Sequence, residues 1–170
     1  MRKNLLFLLI SLPFIFSACN NATTETASEA KADNSVAEKN KASFRVVVDA
    51  FQTGDISKID SVVAPDFVDH TERGDLGRDS LKTMIQTMHQ QMGGMKSEVV
   101  KEMADDEYVF GLIRYTGTSK GEMGMPPGPF DFKGLEVVRY KDGKAVEHWA
   151  YMEPREMMKM MPPPADAMKK

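Results

Sequence analysis

The chain has 170 residues, with 22 Lys and Arg against 25 Asp and Glu, and a formal net charge of −3. A net acidic chain does not indicate the basic surface that nucleic-acid binding requires, so we expect no nucleic-acid partner. Cys19 is the only cysteine, which excludes an intramolecular disulfide.

The first residues are typical of an exported protein. Two basic residues precede an apolar run from Leu5 to Phe16 that is too short to span a bilayer comfortably. The letters FSAC, which end at Cys19, resemble the lipobox of bacterial lipoproteins. The resemblance implies that residues 1–18 are a signal peptide, and that lipid on Cys19 holds the protein on the periplasmic or outer-membrane face of the cell envelope. The alternative is an ordinary secretory signal with an incidental cysteine.

Composition divides the rest of the chain. Residues 19–41 are mostly Ala, Thr, Ser, Glu, Lys and Asn, and they predict a flexible tether because they offer little apolar surface to bury. Residues 42–161 form a folded unit of about 120 residues, enough for one hydrophobic core. We expect residues 162–170 to be a disordered tail.

Hydrophobic periodicity predicts helices first and a sheet afterwards. In chain order, the pattern indicates a helix through Phe44 and Phe51 that ends at Thr53-Gly54, a short helix from Asp55 to Val63, a strand from Phe67 to Thr71, a helix from Gly77 to Gly93, four strands over Lys96–Met103, Tyr108–Thr118, Phe130–Lys141 and Lys144–Glu153, and a last helix from Pro154. This order predicts an α+β fold with a mostly antiparallel sheet.

A hairpin around Asp142-Gly143 carries the candidate site. A two-residue turn there pairs Lys141 with Lys144 and places Glu136 opposite Trp149. Strand alternation then puts eight side chains on one face: Phe132, Glu136, Val138, Tyr140, Glu147, Trp149, Tyr151 and Glu153. Aromatic side chains with a few fixed acids suit a small-molecule pocket.

Glu136 is the candidate catalytic acid or base, because burying a charged side chain in the middle of an apolar strand costs free energy and therefore suggests a functional role. The alternative is a Glu that faces solvent from a half-exposed sheet. His70 ends its strand and is predicted to pair with Glu136 across the cavity, unless backbone atoms satisfy it at a turn. Asp69 points the other way by alternation and is expected to be structural.

The remaining candidates are substrate-binding residues. Trp149, Tyr151, Glu147 and Glu153 share the predicted pocket face. Arg114 lies in an apolar run and either binds Glu136 or Glu153 or faces solvent at an edge. His148 falls on the opposite face, which we expect to be a dimer interface; if that face is interior, His148 replaces Glu136 as the functional residue.

Several short motifs together resemble one known family. They are Gly54-Asp55, the FVDH segment ending at His70, Gly77-Arg78, Gly117-Thr118, the segment GEMGMPP from Gly121, the segment RYKDGK from Arg139, and the EHW segment ending at Trp149. Their order is similar to that of the SnoaL-like polyketide cyclases, within the nuclear transport factor two-like superfamily. The resemblance implies a cone-shaped curved sheet packed on N-terminal helices, a cavity for a hydrophobic small molecule, and a homodimer. It also implies proton transfer without metal or organic cofactor, of the aldol cyclisation or isomerisation type.

Two other functions remain open. The same cavity can serve a non-catalytic binding module of the cell envelope. The 14 methionines, several of them clustered near His89, also suit a site for reduced copper, because soft sulfur prefers a soft ion. Against copper, Met84, Met88 and Met92 follow the core stripe of their helix, and methionine is a common filler of irregular cores.

Overall fold

The computed structural model describes the backbone of residues 25–161 and the side chains of residues 36–161. The predicted signal peptide, Cys19 and the predicted tail at residues 162–170 lie outside the described residues. None of the described helices is long and apolar enough to cross a membrane.

Four helices and one curved six-stranded sheet make up the described chain, which confirms the α+β prediction. In chain order they are α1 (Glu25–Thr53), α2 (Ile59–Val62), β1 (Val63–Thr71), β2 (Gly74–Leu76), α3 (Arg78–Gln91), β3 (Met92–Ala104), β4 (Tyr108–Ser119), β5 (Gly128–Lys141), β6 (Lys144–Tyr151) and α4 (Pro154–Met160). The strand order is β2-β1-β6-β5-β4-β3. β1 pairs with β6 in parallel, and the other neighbours are antiparallel.

Helix α1 begins well before the predicted domain boundary. Ala37 and Asn40 are buried, and the Asn40 side-chain amide donates to the carbonyl of Asp106 at 3.0 Å. The prediction of a flexible tether through residue 41 is therefore wrong at its C-terminal end, because both side chains are buried in a helix and Asn40 is hydrogen-bonded to the turn before β4. The helix ends at Thr53, where Gly54 has φ of +74° and its N–H binds the Ala50 carbonyl.

The hairpin between β5 and β6 has the predicted turn but not the predicted register. Asp142 and Gly143 have φ of 53° and 75°, which suits a two-residue turn, and Lys141 pairs with Lys144. The register then shifts by one residue in β6, so that Glu136 pairs with Ala150 rather than with Trp149. A β-bulge of this kind exchanges the two faces of a strand, and every residue of β6 beyond the bulge changes side.

The core lies between the concave face of the sheet and the helices. Its fully buried side chains include Ile59 and Val63 from the α2–β1 segment, Ile85 from α3, and Val109 and Ile113 from β4. Toward the open side of the sheet this core gives way to a cavity.

Candidate functional site

A cavity of about 490 Å³ lies between the concave sheet face and helices α1, α3 and α4. Its apolar wall is built by Phe44, Val47, Val48, Phe51, Val63, Phe67, Leu81, Met84, Met88, Phe132, Val138, Met157 and Met160. The volume falls within the range of sites that take small organic ligands. The helical stripe predicted in α1 thus forms part of this wall.

Four polar side chains meet on the sheet wall of the cavity, and we call them the acid cluster: Asp69, Tyr115, Glu136 and His148. His148 lies between two carboxylates, with Nδ1 2.7 Å from Asp69 Oδ1 and Nε2 2.9 Å from Glu136 Oε2. The Tyr115 hydroxyl donates to the other Glu136 oxygen, Oε1, at 2.9 Å. The cluster therefore joins β1, β6, β5 and β4 in one hydrogen-bonded chain.

Opposing effects act on the charge of His148. Burial disfavours the charged imidazolium, but the hydrogen bonds to Asp69 and Glu136 and the charges of both carboxylates outweigh burial and raise the pKa of His148 to about 9. At neutral pH the ring is therefore an imidazolium that donates to both neighbours. The side chains of His148 and Glu136 are only 19% and 16% exposed.

Tyr115 stays protonated for two reasons. Burial and the nearby charge of Glu136 both raise the pKa of the Tyr115 hydroxyl well above its usual value. The hydroxyl consequently remains a hydrogen-bond donor to Glu136 throughout the physiological pH range. Gly134 leaves the space beside this pair open, since a Cβ there would lie 3.2 Å from Glu136 Oε1.

Because of the bulge in β6, three predicted site residues lie on the opposite face of the sheet from the one expected. Trp149 was expected opposite Glu136 on the cavity face, but it pairs with Val137 on the convex face and does not line the cavity. Glu147 also lies on the convex face, where it accepts from Arg139 at 2.7 Å. His148, expected on the convex face at a dimer interface, points into the cavity beside Glu136.

The other predicted residues fall at the margin of the cavity or outside it. His70 borders the cavity, but its ring stacks on Trp149 with centroids 4.8 Å apart, and its Nδ1 lies 2.9 Å from Asp75. The expected pairing of His70 with Glu136 is therefore wrong. Tyr151 is largely exposed at the cavity mouth. Glu153 precedes α4 in an exposed position, where Arg155 binds it.

Arg114 does not reach either acid that the sequence offered it. Its guanidinium donates to both carboxylate oxygens of Asp131 at 2.9 and 2.7 Å. This pair is exposed on the convex face, because Arg114 alternates with the inward-facing Ile113 and Tyr115. Within the acid cluster, the cation beside Glu136 is therefore His148.

Sequence reasoning missed Asp69 and Tyr115 as site residues. Asp69 was assigned to the side away from the cavity, yet it is buried and lines the cavity. The signal was available, because Phe67 is a core residue and Asp69 lies two positions later on the same strand face. Tyr115 follows the buried Ile113 by the same spacing.

Within residues 36–161, no group of three or more His, Cys, Asp or Glu side chains is placed to hold a metal ion. Of the clustered methionines, Met84 and Met88 line the cavity, and Met92 and Met95 are buried. His89 packs its ring close to Gly54. Apolar packing therefore accounts for this methionine cluster.

Comparison with known proteins agrees with the fold. AclR, a proposed hydroxylase from Streptomyces galilaeus, is 26% identical and superposes with a TM-score of 0.61 over 78% of this chain and 88% of its own. IdmH, a proposed polyketide cyclase from Streptomyces antibioticus, is 24% identical with a TM-score of 0.60, over 70% of this chain and 95% of its own.

An LEH-like epoxide hydrolase from M. tuberculosis is 16% identical, with a TM-score of 0.59 over 74% of this chain and 90% of its own. A search of curated protein sequences gives no significant match. The family model of SnoaL-like polyketide cyclases matches residues 41–160. The expected cone fold is thus confirmed, and the protein belongs to the SnoaL-like polyketide cyclase family.

Proposed function

We propose that the cavity binds a hydrophobic small molecule and that Glu136 exchanges a proton with it, without a cofactor. The observation that carries this proposal is the acid cluster, where a carboxylate lies on the wall of an otherwise apolar cavity. A carboxylate held away from bulk water is a stronger base toward a bound substrate than one in solution. Ring closure by an aldol step and double-bond isomerisation both begin with such a transfer.

The cluster prepares Glu136 for this role. His148 and Tyr115 each donate to one of its oxygens, so the carboxylate is fixed in orientation before any ligand arrives. Asp69 on the far side of His148 holds the imidazole in position. His70, the partner proposed from the sequence, is replaced in this account by His148.

A nitrobenzisoxazole is a suitable probe, because a base removes the hydrogen on C3 of its isoxazole ring while the N–O bond breaks. The product is a coloured cyano-nitrophenolate, and no cofactor or co-reactant takes part. We expect the wild-type protein to turn the probe over, and Glu136→Gln to lower kcat/KM by at least about 100-fold. Binding of the probe, measured by calorimetry, should change much less.

Glu147→Gln is the matched control, since it makes the same carboxylate-to-amide change on the convex face. Its turnover should equal that of the wild type. Unchanged turnover in Glu136→Gln, or an equal loss in both variants, would remove Glu136 from the mechanism.

A binding module without turnover is the second candidate. The ion pair between His148 and Glu136 favours it, because a cation beside a carboxylate weakens that carboxylate as a base. Tight binding of the probe with no release of phenolate by the wild type would support this alternative.

The place of the protein in the cell is also a proposal. The motif that ends at Cys19 supports attachment of lipid and a position in the cell envelope. Metabolic labelling with an alkyne fatty acid should mark the wild type but not Cys19→Ser. The family resemblance supports a homodimer, for which sedimentation velocity of the purified protein is the direct test.

A further inference from the structure

Every polar hydrogen of the acid cluster is already bound to a carboxylate. The Tyr115 hydroxyl donates to Glu136, and the two ring nitrogens of His148 lie within hydrogen-bond distance of Asp69 and Glu136. None of the described residues donates to Asp69 Oδ2. The donors of the cluster are therefore used within it, and what it offers a ligand in the cavity is acceptor lone pairs.

Outside the cluster, the polar lining includes the hydroxyls of Tyr140 in the wall and Tyr151 at the exposed mouth, and none of the described lining residues is a lysine or arginine. The Thr71 hydroxyl donates to the Gly74 carbonyl at 2.6 Å, and Glu72 contributes a further carboxylate at the mouth. His70 is engaged with Asp75 and stacked on Trp149. The cavity walls that α1 and α3 contribute are apolar.

The net charge of the cluster also favours a ligand that is a neutral hydrogen-bond donor. Two carboxylates and one imidazolium leave a net charge of −1 on the cavity wall. A bound anion would face repulsion from both carboxylates at low local dielectric, with no free cation in the cluster to offset it. A neutral donor, in contrast, would complete the coordination of a carboxylate that is already partly desolvated.

We propose that the cavity selects an uncharged hydrophobic molecule that brings its own hydrogen-bond donor, such as a hydroxyl group, and discriminates against carboxylates and ethers of the same shape. This assignment of ligand class builds on the proposed function of the cavity. The open space beside Gly134 gives the donor access to Glu136 Oε1.

Three naphthalene derivatives with the same ring test this selectivity: naphthol as donor, methoxynaphthalene as its ether, and naphthoate as the anion. Calorimetry with the wild-type protein at pH 7 should show naphthol binding about ten-fold more tightly than methoxynaphthalene, the lower end for a hydrogen bond to a charged acceptor. Naphthoate should bind more weakly than either.

Glu136→Gln removes one of the two charges and puts an amide donor on the wall. In this variant the preference for naphthol over the ether should shrink to within about three-fold, and naphthoate should bind more tightly than it does to the wild type. Glu147→Gln, the matched change on the convex face, should keep the wild-type order.

Equal affinities of the wild type for naphthol and its ether, or tighter binding of naphthoate, would overturn the ligand class. If the order holds but the wild type does not turn over the nitrobenzisoxazole, the ligand class stands and the catalytic proposal falls. Turnover of the nitrobenzisoxazole without the expected order of affinities would support the catalytic proposal and reject the ligand class. Failure of all three compounds to bind, together with no turnover of the nitrobenzisoxazole, would reject both proposals.

Discussion

The strongest quantitative prediction concerns Asp69→Asn, which removes one of the two carboxylates that hold His148 charged. The pKa of His148 rises from an ordinary 6.5 to about 9 in the folded protein, which corresponds to about 3 kcal/mol of stability. Because the folded-state pKa is the higher one, this contribution is fully present below pH 6.5. It is lost as the pH rises toward 9.

In Asp69→Asn, Glu136 remains as the only anionic partner of His148. The pKa of His148 should therefore fall, and the stability lost between about pH 6.5 and about pH 9 should shrink to roughly 1 to 2 kcal/mol. The amide is close in shape to the carboxylate, so the change in charge dominates. Urea unfolding followed by circular dichroism, at several pH values across this window, measures the free energy of unfolding directly.

Asp131→Asn is the control, since it makes the same change at an exposed carboxylate on the convex face and should retain the wild-type pH dependence between about pH 6.5 and about pH 9. The chain has three histidines, so the pKa of His148 can also be followed by NMR once His148→Gln has assigned its signal. Identical pH dependence of unfolding in the wild type and in Asp69→Asn would refute the ion pair as a source of stability.

Three further substitutions have distinct expected results. Gly134→Ala should lower turnover of the nitrobenzisoxazole severalfold without a large loss of stability, because its Cβ would lie 3.2 Å from Glu136 Oε1; turnover equal to that of the wild type would show that ligands do not use this space. Gly111→Ala should reduce the free energy of unfolding by about 1 to 3 kcal/mol, since its Cβ would lie 2.3 Å from a ring atom of Phe44, and an unchanged urea midpoint would contradict this packing. Arg114→Ala should leave turnover unchanged in the same assay, because its guanidinium lies on the convex face; a large loss would return it to the site.

Local chemistry determined most of the fold. The stripe through Phe44 and Phe51 fixed the C-terminal half of α1, and the four long strands began and ended within a few residues of their predicted positions. The Asp142-Gly143 turn is decided locally, because both residues accept positive φ at low cost. By contrast, no apolar periodicity marks the start of α1, and the buried contacts of Ala37 and Asn40 appear only once the chain has folded.

Which residues lie beside Glu136 in the candidate site depends mainly on one feature of the tertiary structure, the bulge in β6. Sequence alone placed Glu136 on an inward face of β5, but a single extra residue in β6 decides what stands beside it. The bulge brings His148 into the cavity and turns Trp149 out, because side chains alternate strictly along a strand and one inserted residue exchanges the faces.

Asp69 reaches the same cluster through the parallel pairing of β1 with β6, which joins residues far apart in the chain. The sequence therefore determined the types of residue available to the site, since strand propensity and alternation are local properties. Only the packed sheet decided which of them meet, because register and strand order depend on contacts between distant segments.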